Sequence, residues 1–356
     1  MLLRRFILLP LIAVAAVAYA QSFRIGVLGL FHPNRLIVQP VDSGSIVLQI
    51  GSETYTLNRS SASSEAVIET SQTALTVQTA AHVYQGESLT ISDRSGNACE
   101  FVLKVPGKIS RRYKGILRIR QSQGALVADI RMDIETAVAS VVAAENAPDV
   151  PLEAAKAQAI AARSFLVAGS GRHREFDFCD TTHCQFLRNP PGPESTAAKA
   201  ADLTRSFILT YRRRPVAAMY SRSCGGRTRT PTELGIPEAD YPYHAVECAY
   251  CRMHPEYWEA RVTTEDAQLL RQAREASRLQ VSRRLGWNTV PSTNLALADR
   301  GSDVLVTGTG RGHGIGLCQL GAKGMAEQGS TATEILEHYY PDTEIRSLQH
   351  IQATSP

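Results

Sequence analysis

Two spacings of apolar residues divide the chain. From Phe23 to about Ile130, short runs rich in Val, Ile, Leu and Thr alternate with polar residues and end at turn formers. FRIGVLGL, SIVLQIG, AVIETS, LTVQT, LTISD, EFVLKV, ILRIR and LVADI each predict a strand. From Asp133 the period changes. Val142, Val141, Val138 and Ile134 lie three, four, seven and eleven positions before Glu145, which is one face of a helix. Asn146 and Pro148 stop that helix. Pro151 opens a second one, with Leu152, Ala155, Ala159, Ala162 and Leu166 as its buried stripe. FILTY, VAAMYS and DVLVTG predict later strands, and TATEILEHYY a last short helix. The expected fold is α+β: a β-rich N-terminal domain at 21–130, then a mixed α/β core at 131–346 with a helix pair around Glu145. A tail at 347–356 follows.

The first twenty residues obey another rule. Arg4 and Arg5 precede an apolar run from Phe6 that ends in Ala18-Tyr19-Ala20, the pattern of a cleaved signal peptide at 1–20. The run is short for a membrane span, and no later stretch reaches spanning length. The expectation is an exported protein, periplasmic or extracellular, with no integral span after cleavage. A formal charge of +4 suits a wall or acidic glycan surface and does not demand nucleic acid. No RNA-binding, helix-turn-helix or zinc-finger signature is present, so no nucleic-acid partner is expected. Seven cysteines leave at least one to stay free, bind metal or link chains.

Four constellations carry candidate chemistry. Glu145 continues an apolar face at the negative end of a helix dipole, where lost hydration and the dipole both raise a carboxyl pKa. That suits a general acid, although a Glu reaching solvent at a frayed helix end fits the same spacing. Glu153 lies in the first turn of the next helix, where acids are simply good dipole partners. With no second carboxylate at a comparable place, the pattern favours chemistry in which one residue is both acid and base.

HREFDFCDTTHCQF gathers soft ligands suited to Zn²⁺, with His173, Cys179 and Cys184 as the candidate set. A Cys179–Cys184 disulfide is the alternative, and His183 points elsewhere if the segment is extended. YHAVECAYCRMH carries Cys248 and Cys251 between two histidines, as a local disulfide, a second metal clip or a composite site with Cys179 and Cys184. VTGTGRGHGIGLCQLG satisfies no phosphate-loop motif. Its glycines let backbone pass close to a ligand, and His313 and Gln319 become candidate substrate contacts. Gln158 and Arg163 on the second helix and Ser223 in SRSCGGRT complete the candidate substrate side; Cys224 there resembles a nucleophile in a turn but lacks a Cys-His signature.

Together these residues resemble the stage II sporulation protein D family, which includes amidase enhancers. The resemblance rests on VVAAE…AKAQAIAARSF, CDTTHCQ, SRSCGGRT, Trp258 after C-x-x-C-x-x-H-P, and GRGHGIGLCQLGAKGMAEQG…EILEHYYPDTEI, in the family's order from about Tyr113 to Ile345. One departure is Leu-Cys-Gln where Met-Ser-Gln is usual, so Cys318 reads as a substitution and not a ligand. The resemblance implies a lytic transglycosylase acting on peptidoglycan glycan strands after an amidase has stripped the stem peptides. Glu145 takes the place of its catalytic Glu, and a structural zinc falls on His173, Cys179 and Cys184. The other function in view is a non-catalytic glycan binder that enhances a cell-wall amidase.

Overall fold

Strand β10 (Ile109–Ser122) organises the first half of the molecule. Its first half pairs with β9 (Cys99–Val105), whereas its second half pairs with β11 (Ala125–Asp133) and β8 (Ser88–Ser92). A strand of this length with different neighbours at its two ends makes the sheet branch. The remaining strands are β1 (Ser22–Val27), β2 (Arg35–Pro40), β3 (Ser45–Ile50), β4 (Glu53–Asn58), β5 (Ala66–Thr70), β6 (Leu75–Gln78) and β7 (Val83–Gly86). With the two-residue β12 (Phe178–Cys179) they form a 12-stranded sheet ordered β12-β1-β11-β10-β9-β2-β5-β6-β7, onto which β3 and β4 are carried by β8. Alternate residues, among them Leu36, Leu48, Ile68, Phe101 and Leu117, are fully buried between its branches. This computed structural model describes residues 21–349 apart from Ser43, 60–63, 71–73, 170–172 and 238–239. The expected signal peptide and most of the expected tail lie outside the described residues.

β11 runs directly into α1 (Ile134–Glu145), because the Asp133 carboxylate accepts the N–H groups of Glu135 and Thr136 and starts the helix. α2 (Leu152–Ala168) follows with Pro151 at its N-cap. The expected stripe on α2 is too narrow. Leu152 is 38% exposed, while almost every residue from Ala154 to Leu166 is buried, since α2 packs against α1, α3 (Thr196–Leu203), α7 (Gln319–Glu327) and α8 (Ala332–Tyr339). Its alanines permit this crowding. Arg163, expected to face a cleft, is instead wholly buried. Its guanidinium pairs with Glu135 of α1 at 2.6 Å and donates to the carbonyls of Ala201 and Phe207. A buried cation whose donors are spent on protein ties α1, α2 and α3 together and is not available to substrate.

Beyond α3 come β13 (Phe207–Tyr211), β14 (Arg214–Pro215), β15 (Tyr220–Ser221) and the short α4 (Ala249–Met253). Next is a unit of which the sequence pattern announced only the last strand: β16 (Tyr257–Val262), α5 (Thr264–Leu270), α6 (Glu275–Leu285), β17 (Leu295–Asp299) and β18 (Val304–Thr309). Its three strands form their own antiparallel sheet, and Val262, Leu270, Val281, Val290, Val304 and Val306 give it a separate core. β19 (Leu317–Cys318) then returns to pair in parallel with β15, and β20 (Glu344–Ser347) closes against β13. The larger core runs without a break from Phe23 through α2 to Tyr340, so residue 130 marks no gap in packing. Among the described residues no helix is long and apolar enough to cross a membrane.

Candidate active site

Glu145 ends α1, and the Asn146 N–H and side-chain amide both return to the Val142 carbonyl to close the last turn. The carboxyl faces inward and is half-buried. One oxygen accepts the Phe186 N–H at 3.1 Å, and the Gln319 side-chain amide donates to the Glu145 carbonyl at 3.3 Å. Burial pushes its pKa up from 4.5 to about 7, with the Phe186 and Gln319 hydrogen bonds and the Arg188 charge opposing that rise. None of these groups is a carboxylate. Glu145 is thus held by two chain segments far away in sequence, 186 and 319, and is close to half protonated near neutral pH.

The segment before Phe186 is a cage. His173, Cys179, His183 and Cys184 bring their ligand atoms within 4.8 Å of one another. The His173 Nε2 lies 3.2 Å from Cys184 Sγ, and His183 Nδ1 lies 3.6 Å from the same sulfur and 3.9 Å from Cys179 Sγ. The three expected ligands do converge. The expectation that His183 points away is corrected, because Cys184 N–H bonds Thr181 carbonyl in a turn and the segment is not extended. Two thiols and two imidazoles at this spacing fit a closed four-coordinate zinc site. The Cys184 hydrogen bond is the main cause that pulls the Cys179 thiol below its ordinary value, which favours the thiolate a metal needs. Asp180 anchors the cage to the large sheet, accepting from Arg111 at 2.8 Å, Tyr113 at 3.1 Å and the Leu28 N–H at 3.3 Å. Beyond the cage, the Gln185 amide donates to the Ala162 carbonyl on α2. The cage therefore sets where Phe186 meets Glu145.

The other wall comes from β15, the glycine-rich loop and β19. Tyr220 stands close enough to Glu145 that the carboxylate's charge adds to burial in raising the phenol pKa, and its buried hydroxyl has no hydrogen-bond partner among the described residues. His313 accepts the Ile315 N–H on Nδ1 at 3.0 Å, and its ring bonds the Tyr220 backbone. Burial lowers its pKa, so it stays neutral and braces β15. Gly316 is needed for a different reason than an open groove floor. Its φ is +70°, and a Cβ there would lie 2.0 Å from the Met219 carbonyl oxygen.

Of the expected substrate contacts, only Gln319 meets Glu145 directly. Ser223 is 1% exposed, with its hydroxyl 3.5 Å from Cys251 Sγ and its backbone paired to Arg311, so it belongs to the interior. Gln158 is also enclosed at 1% exposure and faces no open cleft, although both its amide atoms lack a protein partner. Phe186, Arg188 and Tyr220 escaped the sequence reading. Only the CDTTHCQF motif beside Phe186 hinted at them, since nothing in spacing says which backbone N–H reaches a carboxyl forty-one residues away.

A family model described as "Stage II sporulation protein" matches residues 122–211, the segment that holds Glu145 and the cage. The stage II sporulation protein D of Bacillus amyloliquefaciens is 27% identical over 254 residues, covering 60% of this chain and 74% of the relative. Residues 122–211 thus carry a stage II sporulation protein domain, and the chain as a whole is similar to stage II sporulation protein D. An uncharacterized protein of Brachyspira hyodysenteriae is 28% identical over 268 residues, 65% of this chain and 72% of that protein. The amidase enhancer of Bacillus subtilis is 40% identical over 63 residues, 18% of this chain and 9% of its own length. The first two of these relatives align with 60–65% of the chain, and the mixed α+β architecture is that of the chain itself.

Proposed function

We propose that the protein is a peptidoglycan lytic transglycosylase that cleaves the bond between N-acetylmuramic acid and N-acetylglucosamine and leaves 1,6-anhydro ends. The observation that carries this reading is Glu145, a half-buried carboxyl raised to about 7 with no carboxylate among the groups that shift it. In the protonated form it donates to the glycosidic oxygen as the C–O bond breaks. The carboxylate so formed takes the proton of the muramoyl C6 hydroxyl while that oxygen bonds C1. One proton leaves and one returns, so neither water nor a second carboxylate is required. The Phe186 N–H steadies the carboxylate stage, and Gln319 holds the helix end still. Bound zinc in the His173–Cys184 cage supplies structure, because four protein ligands leave no open position.

The substrate of this reading is peptidoglycan glycan already stripped of peptides. A cell-wall amidase is the partner that prepares it, in keeping with the similarity to a protein named amidase enhancer. The reaction belongs outside the cytoplasm, where the N-terminal signal would deliver the chain. Incubating the mature protein with denuded strands should release anhydro-muramoyl ends by mass spectrometry; hydrolytic reducing ends, or no products from any strand preparation, would sink the reading. A protein that binds strands without cutting them would instead be an enhancer.

Tyr220 offers a further check. An unpartnered buried hydroxyl costs stability unless a ligand satisfies it. Tyr220→Phe should therefore keep or raise the melting temperature while lowering turnover about tenfold, the value of one hydrogen bond of ordinary strength. Unchanged turnover would mean that the hydroxyl faces no substrate.

A further inference from the structure

Away from the 173–184 cage, four more cysteines converge in the interior. Cys224 follows β15 in a turn, Cys248 caps α4, Cys251 sits within α4, and Cys318 ends β19. All four are buried, and their sulfurs lie within 4.8 Å of one another, with Cys251 and Cys318 at 3.4 Å. A tetrahedron of zinc–sulfur bonds of about 2.3 Å has edges of about 3.8 Å, so the four sulfurs need only small adjustments to surround one ion. They are too close together to surround an iron–sulfur cluster, whose inorganic core spreads its thiolates. Cys318 was expected to be no ligand, and Cys248 and Cys251 to form a disulfide, a second metal clip or a composite site with Cys179 and Cys184; the fold instead groups Cys248 and Cys251 with Cys224 and Cys318.

Several hydrogen-bonding groups surround the sulfurs, the Arg222 carbonyl 3.8 Å from Cys318 Sγ among them. Cys318 Sγ accepts the N–H groups of Cys224 at 3.3 Å and Gly321 at 3.4 Å, the latter at the start of α7. The Tyr339 hydroxyl lies 3.4 Å from Cys248 Sγ, and the Ser223 hydroxyl 3.5 Å from Cys251 Sγ. The two N–H donors stabilise metal-bound thiolate, and the hydroxyls can add to them by turning their protons toward sulfur, whereas a disulfide sulfur is a weak acceptor. Gly321 leaves the room this requires: a Cβ there would sit 2.6 Å from Cys248 Sγ and 1.9 Å from the Tyr339 oxygen. No carboxylate or imidazole interrupts the set, and four thiolates give the closed ligand shell of a structural site.

We propose that Cys224, Cys248, Cys251 and Cys318 form a second, tetrathiolate zinc site that fastens α4 and the β15–β19 pair behind the active-site wall. The four thiols release their protons as the ion binds. The site uses none of the cage ligands and lies outside the segment that the family model matches, 122–211. Its position is telling. Cys318 immediately precedes Gln319, which holds the Glu145 carbonyl, and Cys224 follows Tyr220 by four residues. Zinc here would lock both strands of that wall, β15 and β19, to α4.

The test is made on the mature protein purified without chelator. Elemental analysis should give two zinc ions per chain. X-ray absorption should give an average shell of three sulfurs and one nitrogen, from one four-sulfur and one mixed site. Intact mass after denaturation, without reductant, should correspond to seven free thiols. Cys318→Ser should retain half of the zinc; if it does not fold, the wild-type measurements still decide. A lone zinc with a four-sulfur shell supports the proposal even if the cage does not bind. A lone zinc with two sulfurs and two nitrogens, iron in place of zinc, or a mass four hydrogens lighter overturns it.

Discussion

Glu145→Gln is expected to end anhydro-muropeptide formation, with a loss at or beyond the 10²–10⁴-fold that one acid–base group typically contributes, while glycan binding persists. Glutamine keeps the size of the side chain and can still accept the Phe186 N–H through its carbonyl oxygen. It has no proton to give to a leaving oxygen. Residual cleavage within tenfold of wild type would assign the chemistry to another residue. The pH profile follows from the same carboxyl. Because the first step needs the protonated acid, kcat/KM should fall as pH rises through about 7.

Stability should move with pH in the same sense. The carboxyl titrates at 4.5 in the unfolded chain and at about 7 in the fold. Between those values the native state holds a proton that the unfolded state has released. The native state is therefore favoured fully below about pH 4.5 and loses that advantage as pH rises through about 7. The loss is roughly 3–4 kcal/mol before solvent screening of a half-buried group reduces it. Glu145→Gln escapes it, so the variant should melt above wild type at pH 8, with the gap closing toward pH 5. A variant that melts lower at pH 8 would mean that the carboxylate, not the acid, is what the fold accommodates.

What could be read from the chain in advance depended on where the information resides. Strands buried on one face announced themselves: LTISD, EFVLKV and FILTY coincide closely with β8, β9 and β13, because alternation follows directly from the pleat. β2, whose Leu36 and Val38 are buried, was passed over all the same, and β4 and β7 went unread for a physical reason. These last two bury little beyond Leu57, and backbone pairing with a neighbour holds them, which leaves no mark on side-chain pattern. Apart from β18, foreseen in DVLVTG, the 257–309 unit escaped for a related reason, since its small valine-rich core draws on short, widely spaced runs. Glu145 was legible because a carboxyl on an apolar stripe breaks a rule. Arg163 breaks the same rule, yet its meaning was opposite: the partner that satisfies it, Glu135, lies twenty-eight residues away and only the folded helix pair joins them. The cysteines carry the same lesson. C-x-x-C fixes two ligands locally, but the Cys224 and Cys318 that complete the set are brought in by the parallel pairing of β15 with β19.

Loss of metal from the 173–184 cage should have the other large effect, and it should act through structure. Cys184 touches both imidazoles and directly precedes the residues that dock on α2 and Glu145. Cys184→Ser is therefore expected to lower zinc content by one ion and the melting temperature on the order of 10 °C, which corresponds to several kcal/mol for a chain of this size. Activity should fall with the folded fraction, and slow chelation of the wild-type protein should reproduce both losses in step. His183 is what makes this outcome follow: with two imidazoles and two thiolates the shell is complete, and no position remains for a water or a sugar oxygen. Chelation that stopped cleavage at once with an unchanged melting curve would require an open coordination position and hence a catalytic ion. A Cys179–Cys184 disulfide in the active protein would remove zinc from this site altogether.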